Sequence, residues 1–263
     1  MTLNRSEVQE LLDFAVNLAR DAGDITLNYF QRAPEIATKA DGSFVTVADR
    51  EAEAYLRSAI IKAFPDDAIL GEEEGERKGG SGRRWIIDPI DGTFAFVHGV
   101  PFYGVLIALE IDGKQTVGVV NAPALKELVY AAMGLGCFHN GGTAMVSSTA
   151  RLADALLLCS DFNSCARYGF GPAVAELQSL VKTSRTWGDC YGYLLVATGR
   201  ADIMLDPVMN LWDCAALKPI VEEAGGTFAD WYGVKTANGG NAIATNGKLF
   251  SDVMRVIGGS PPK

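Results

Sequence analysis

The chain has 263 residues, 48% apolar and 21% charged, enough to bury a substantial core in one large domain or two coupled halves and unlike a disordered composition. With 23 basic against 32 acidic residues the formal charge is −9, which argues against a general nucleic-acid or membrane surface. No hydrophobic run approaches the ~18 residues of a membrane span, and Met1 to Arg5 lacks an apolar signal core, so a cytoplasmic location is expected.

Ser6 with Gln9 three residues on reads as a capping box, and Val8, Leu11, Leu12, Ala15, Leu18, Ala19 and Ala22 make the apolar stripe of a first helix. A second helix is expected from near Thr46 to just before Pro65, burying Leu56, Ile60 and Phe64. Ala68-Ile69-Leu70 reads as a strand closed by Gly71-Glu72-Glu73-Glu74, with Glu73, Glu74 and Glu76 on a solvated acidic loop. Gly79-Gly80-Ser81-Gly82 reads as a strongly flexible loop.

Trp85-Ile86-Ile87 is an apolar strand that ends abruptly in Asp88-Pro89-Ile90-Asp91-Gly92-Thr93. Asp88 can project beyond the sheet. Pro89 fixes φ and removes a donor, so the chain turns and Asp91 can come back towards Asp88. Gly92 lets backbone approach a ligand closely, and Thr93 adds a hydroxyl beside free amides. Two carboxylates in an N–H-rich turn suit a hard divalent cation holding a phosphate; an Asp-Pro turn with an Asp-Gly hairpin is the plainer alternative.

A short turn of helix should follow Thr93, then a hairpin of strands 105–111 and 117–121 across Asp112-Gly113. Beyond it the expected order is strand 155–159, helices 173–181 and 190–197, and strand 201–205. Asn210 then caps a helix that ends at Gly225 or Gly226. Asp213 falls in its first turn, where the helix dipole favours an anion, and Pro219 should kink it. Strands near 227–229 and 242–244 precede a last helix at 249–257. Sheets alternating with paired helices indicate α/β layers. Cys137, Cys159, Cys165, Cys190 and Cys214 are scattered without a Cys-x-x-Cys pair, and His98 and His139 are the only histidines. They read as buried thiols in a reducing compartment, not as a zinc site.

Gly71-Glu72-Glu73, Asp88 to Thr93, and Trp212-Asp213 through Glu223-Ala224-Gly225-Gly226 together resemble the inositol monophosphatase family of Mg²⁺-dependent phosphatases. Lys39, Val45-Thr46 and Ala48-Asp49 resemble its N-terminal element, and the pieces run in family order. The resemblance implies an α/β fold, a five-layer α-β-α-β-α sandwich of the inositol monophosphatase / fructose-1,6-bisphosphatase type. Its N-terminal half, 1–148, would carry most metal ligands and its C-terminal half, 149–263, Asp213 and the specificity residues, with a seam near 145–152. Two or three Mg²⁺ ions are implied. Glu72, Asp88 and the Ile90 carbonyl would hold the first, Asp88, Asp91 and Asp213 the second, and Glu72 with Asp49 a third and weaker one. Two ions ~3.5–4 Å apart both generate a nucleophile from water and stabilise the leaving oxygen. Glu72 and Thr93 would orient that water, and phosphate oxygens would lie against the N–H groups of Gly92 and Thr93. A small phosphate monoester as substrate and a homodimer are also implied.

Within the family, Arg185 to Tyr193 and Val196 to Asp202, leading into Asp206-Pro207, resemble the histidinol-phosphate phosphatase branch. Phe94-Ala95, Asp189 and Ala216-Leu217 depart from the plain inositol phosphatases. Hydrolysis of histidinol phosphate is therefore expected, with inositol or sugar phosphates as the alternative substrates and a Mg²⁺-binding regulatory scaffold as the non-enzymatic one. The residues expected to contact substrate are Asp91, Gly92, Thr93, Phe94, Gly188 and Asp213. Arg185, Asp189 and Asp206 are expected to read the end away from the phosphate, because histidinol carries an ammonium and an imidazole that suit acidic acceptors. The competing roles are a structural salt bridge for Arg185 and a helix cap for Asp189.

Overall fold

Helix α1 (Arg5–Leu27) is capped by Asn4, not Ser6: the Asn4 side chain accepts the Ser6 and Glu7 N–H groups, and Glu7 returns to the Asn4 N–H at 2.7 Å. Asn4 with Glu7 completes the reciprocal box two residues earlier, which leaves Ser6 and Gln9 inside the helix. The computed structural model of the chain describes residues 4–32, 35–39 and 42–258. A hairpin of β1 (Ile36–Thr38) and β2 (Phe44–Thr46) leads into α2 (Val47–Ala63), which Thr46 caps and Phe64 closes just ahead of Pro65.

An eight-stranded sheet follows: β3 (Ala68–Gly71), β4 (Gly75–Arg77), β5 (Arg83–Asp91), then, beyond the short α3 (Thr93–Val97), β6 (Gly104–Ile111), β7 (Lys114–Ala122), β8 (Glu127–Ala132), β9 (Gly136–His139) and β10 (Gly142–Thr143). Its order is β10-β9-β8-β7-β6-β5-β3-β4, and only β3 and β5 run parallel. The β6–β7 hairpin turns at Asp112-Gly113, both at positive φ (48° and 79°), the geometry a two-residue turn between right-twisted strands needs. The loop at 79–82 is anchored rather than free. Ser81 Oγ donates to Asp67, Gly80 and Ser81 donate backbone N–H groups to the Asp66 carbonyl, and a Cβ on Gly79 would lie 2.3 Å from the Ala68 nitrogen.

The second sheet has the order β12-β11-β13-β15-β14 and is built after residue 155. Its elements are β11 (Leu156–Cys159), α4 (Phe162–Arg167), α5 (Gly171–Leu180), β12 (Thr183–Arg185), α6 (Asp189–Ala197), β13 (Ile203–Asp206), α7 (Leu211–Cys214), α8 (Leu217–Glu223), β14 (Thr227–Ala229), β15 (Ala242–Thr245) and α9 (Phe250–Ile257). The helix expected from Asn210 to Glu223 is two. Pro219 has no N–H for the Ala215 carbonyl, and the ladder lapses over 215–216 before α8 resumes.

Five layers result. α1 and α2 cover one face of the large sheet through a core that includes Leu12, Leu56, Trp85 and Ile87. α6, α7 and α8 fill the space between the sheets around Ile86, Leu106, Leu194 and Ile220. α5 and α9 close the far side over Leu157, Ile203 and Val253. Ile86 thus faces one core and Trp85 and Ile87 the other, which is why β5 reads as an unbroken apolar run. All five cysteines are buried and free. Among the described residues no helix is long and apolar enough to cross a membrane.

Candidate active site

The carboxylates that stand apart in sequence meet at the ends of β5, β3 and α7. Along β5, Asp88 pairs with Leu106 and Asp91 with Gly104, so three steps on one strand match two on its neighbour. Pro89, which cannot donate to the ladder, sits in this bulge. The Ile90 N–H folds back to Asp88 Oδ1 at 3.0 Å and the Thr93 hydroxyl donates to the Ile90 carbonyl at 2.9 Å, which locks the turn. Gly92 closes it at φ 84°; a Cβ there would lie 2.8 Å from the Phe102 carbonyl oxygen and 3.1 Å from Asp189 Oδ2. Only glycine meets both demands.

Asp213 sits at the third position of α7, and its Oδ2 accepts the Asn210 N–H at 2.7 Å. Carboxylate oxygens of Asp88, Asp91 and Asp213 all lie within 4.8 Å of one another. Glu72 follows β3, whose Gly71 pairs with Ile87, and so emerges beside Asp88. It lines the same cavity as Asp88, Ile90, Asp91, Thr93 and Asp213, a space of about 400 Å³. Its carboxylate is engaged by Lys39 Nζ at 2.7 Å, and Lys39 also binds Glu73 at 2.6 Å. Glu73 is therefore paired and largely buried, not part of a solvated acidic face; Glu74 and Glu76 are exposed. Asp49 is buried as the N3 residue of α2, where one oxygen accepts the Thr46 N–H and hydroxyl at 2.7 and 2.6 Å while Oδ1 has no partner.

This cluster is electrostatically unsettled without a cation. Burial first, then the charges of Glu72, Asp91 and Asp213, push the Asp88 carboxyl well above its usual range. Burial and the charges of Asp189 and Asp213 do the same to Asp91, against a pull from the Cys190 N–H. Asp213 is pushed up to about 7, chiefly by desolvation. Converging oxygen donors that repel one another, with an orphan buried oxygen on Asp49 nearby, fit a hard divalent cation of the Mg²⁺ kind.

The C-terminal half closes the cluster from the other side. Cys190, in the first turn of α6, donates its N–H to Asp91 Oδ2 at 2.5 Å, and the Asp189 N–H goes to Ser160 Oγ at 2.7 Å. Gly188 is buried tightly, since a Cβ on it would fall 2.3 Å from Ser160 Cα. Asp189 is not a helix cap. It adopts φ 51°, a strained conformation for a non-glycine residue, and presents its carboxyl to the Gly92 turn. A second cavity of about 300 Å³ adjoins the cluster at Asp91 and Asp213 and is lined by Asp189, Asp206 and Asp161 together with Ser160, Ser164, Arg167 and Tyr168. Burial pushes Asp189 up to about 6 and Asp206 up to about 8.

Two expected substrate residues lie elsewhere. Arg185 ends the edge strand β12, exposed, with its guanidinium on Thr183 Oγ1 and the Ser184 carbonyl; it lines neither cavity and makes no salt bridge among the described residues. Phe94 is 67% exposed, stacks on Phe44, packs at a tilt against His98 and lines neither cavity. Conversely, Ser160, Asp161, Ser164, Arg167 and Tyr168 were not legible as site residues, because no motif marks the β11–α4 connection. Glu53 was missed as well. It is fully buried, pairs with Arg57 at 2.7 Å and accepts the Glu73 and Glu74 N–H groups, so it holds the loop that presents Glu72. Its spacing from Arg57 on one helix face was the only hint.

A model of the inositol monophosphatase family matches residues 7–257. A histidinol-phosphatase of Chlorobaculum parvum is 44% identical over 249 residues, spanning 94% of this chain and 96% of that protein. A histidinol-phosphatase of Mycobacterium tuberculosis is 42% identical, covering 92% and 96% respectively. Among solved structures, the Thermotoga maritima IMPase superposes with a TM-score of 0.86 at 33% identity, covering 94% of this chain and 96% of that one.

Proposed function

The chain belongs to the inositol monophosphatase family, and on that premise we propose that it is a Mg²⁺-dependent phosphomonoesterase that hydrolyses L-histidinol phosphate to L-histidinol and phosphate. The observation that carries the substrate is the acidic second cavity, where Asp161, Asp189 and Asp206 gather directly beside the Asp88, Asp91 and Asp213 cluster. The two relatives named histidinol-phosphatase support the same reading.

Asp88, Asp91 and Asp213 would hold divalent cation with the Ile90 carbonyl and Glu72 at hand, and cation bound there would supply Lewis acidity and lower the pKa of water. The N–H of Cys190 fixes the orientation of Asp91, and the Asn210 N–H that of Asp213. The phosphate of the substrate lies against the Gly92 and Thr93 N–H groups at the turn. Glu72 and the Thr93 hydroxyl line the same space and orient the attacking water, Glu72 as acceptor of its proton. Lys39, at 2.7 Å from its carboxylate, holds Glu72 in place. The ammonium and imidazole of histidinol meet Asp189 and Asp206. These acids are reluctant to ionise when buried alone, so a cationic substrate gains more from them than a neutral polyol can.

The test is kcat/KM with Mg²⁺ for L-histidinol phosphate, myo-inositol 1-phosphate and glycerol 2-phosphate. The expected result is a preference of about 100-fold for histidinol phosphate, reduced about 10- to 100-fold through KM in Asp189→Ala, as loss of a charged hydrogen bond would give. Equal rates on all three esters would overturn the substrate, and an equal loss on all three in Asp189→Ala would remove that residue from specificity.

A further inference from the structure

A cavity of about 420 Å³ on the other side of α7 gathers cations that the chemistry above does not use. Arg84 at the start of β5, Lys114 at the start of β7, Lys218 in α8 and Lys235 in the loop between β14 and β15 line it, against one lining carboxylate, Glu110. The chain as a whole carries −9. Like charges repel one another across a shared concavity, so such a grouping on an acidic protein is costly unless an anion enters it.

The partners inside the cavity leave charge over. Glu110 is taken by Arg84 at 2.9 Å and by Gln115 at 2.9 Å, and Lys218 by Glu222 at 2.7 Å, just outside the lining. No carboxylate among the described residues pairs with the ammonium of Lys114 or Lys235. The Arg84 Nε is buried without an acceptor. Thr236 and Asn238 add polar groups, and Met133 and Leu211 give the cavity an apolar wall. The volume suits a molecule of metabolite size.

We propose that this cavity, between β5–β7 and the α7–α8 segment, is a second anion site that binds a small phosphate-bearing molecule carrying two or more negative charges. The site spans both halves of the chain. Arg84 begins the strand that ends in Asp88 and Asp91, and Leu211 begins the helix that carries Asp213. An anion held by Arg84 here therefore lies beside the starts of both elements that bring the metal-site carboxylates together. The assignment does not depend on which ester the enzyme cleaves.

The experiment titrates pyrophosphate into the full-length protein, freed of divalent ions on a chelating resin, by calorimetry at low salt. Without cations the carboxylate cluster repels the probe, so binding reports the basic cavity. The expected result is one site with a dissociation constant below ~1 mM that weakens as salt is added. Binding should fall at least ~10-fold in Lys114→Gln/Lys235→Gln. It should be kept within about twofold in Lys62→Gln/Lys182→Gln, which changes net charge equally on exposed lysines away from the cavity. Thermal melts of both variants check that the fold is intact. No binding to the wild type, or equal binding by the two double variants, would overturn the proposal.

Discussion

Asp88 is the residue on which the site turns, because it is buried, feels the charges of Glu72, Asp91 and Asp213 together, and accepts the Ile90 N–H. Its Asn variant keeps the shape and that bond but loses the charge. Asp88→Asn should abolish phosphatase activity, by more than ~10³-fold, as expected when a group that holds the catalytic charge is neutralised. The same change removes a repelled carboxylate, so the metal-free variant should melt no lower than the wild type, and Mg²⁺ should no longer raise its Tm. Activity lost together with a lowered Tm would instead mean that Asp88 acts through the fold. At this scale the sequence revealed Asp88, Asp91, Asp213 and Glu72 through short motifs at strand and helix ends. It concealed Asp189's positive φ and Asp49's orphan oxygen, since neither backbone strain nor an unmet hydrogen bond leaves a mark on residue type.

The elements matter through how closely they approach. α8 and the turn before it press on β7 so tightly that a Cβ on Gly118 would sit 2.2 Å from the Ala216 carbonyl oxygen and 2.8 Å from Pro219 Cγ. Gly118→Ala should therefore lift the 211–217 segment from the sheet, cost about 1–3 kcal/mol by denaturant unfolding, and lower kcat as Asp213 is displaced. A variant as stable and active as the wild type would show that the segment has slack. The stripe of α1, the Thr46 cap of α2 and the Asp112-Gly113 hairpin were readable because each rests on a local rule of period, cap or turn. Strands β4, β8, β9, β10 and β12 were not. Four of them, β4, β9, β10 and β12, are two to four residues long and lie at or near sheet edges. The Asn210 helix shows a partial success: Pro219 marked the break, but only packing against Gly118 shows why a broken helix is wanted there.

For the molecule as a whole the gathered acids set a pH dependence with a definite sign. Asp189, Asp213 and Asp206 are pushed up to about 6, 7 and 8, so between their ordinary range near 4 and those values the folded, metal-free chain holds protons that the unfolded chain has released. Stability must then fall as pH rises through that window. The metal-free Tm should drop by ~5 °C or more from pH 5 to pH 8, and saturating Mg²⁺ should flatten the slope, because cation bound to the ionised carboxylates stabilises the folded state by mass action. A metal-free Tm that rises over the same range would contradict the burial of these acids.

The sequence alone determined the layered α/β plan, the family, and the carboxylates that end β5 and open α7, because strand termini, turns and helix first turns are written in local residue order. Only the tertiary structure decided that Arg185 and Phe94 stand outside the cavities, that Lys39 and Glu53 hold the Glu72 loop, and that Ser160, Asp161 and Arg167 share a wall with Asp189 and Asp206. Those relations join residues far apart in the chain, and which of them touch is fixed by how the two sheets pack around α6 to α8, which no local pattern encodes.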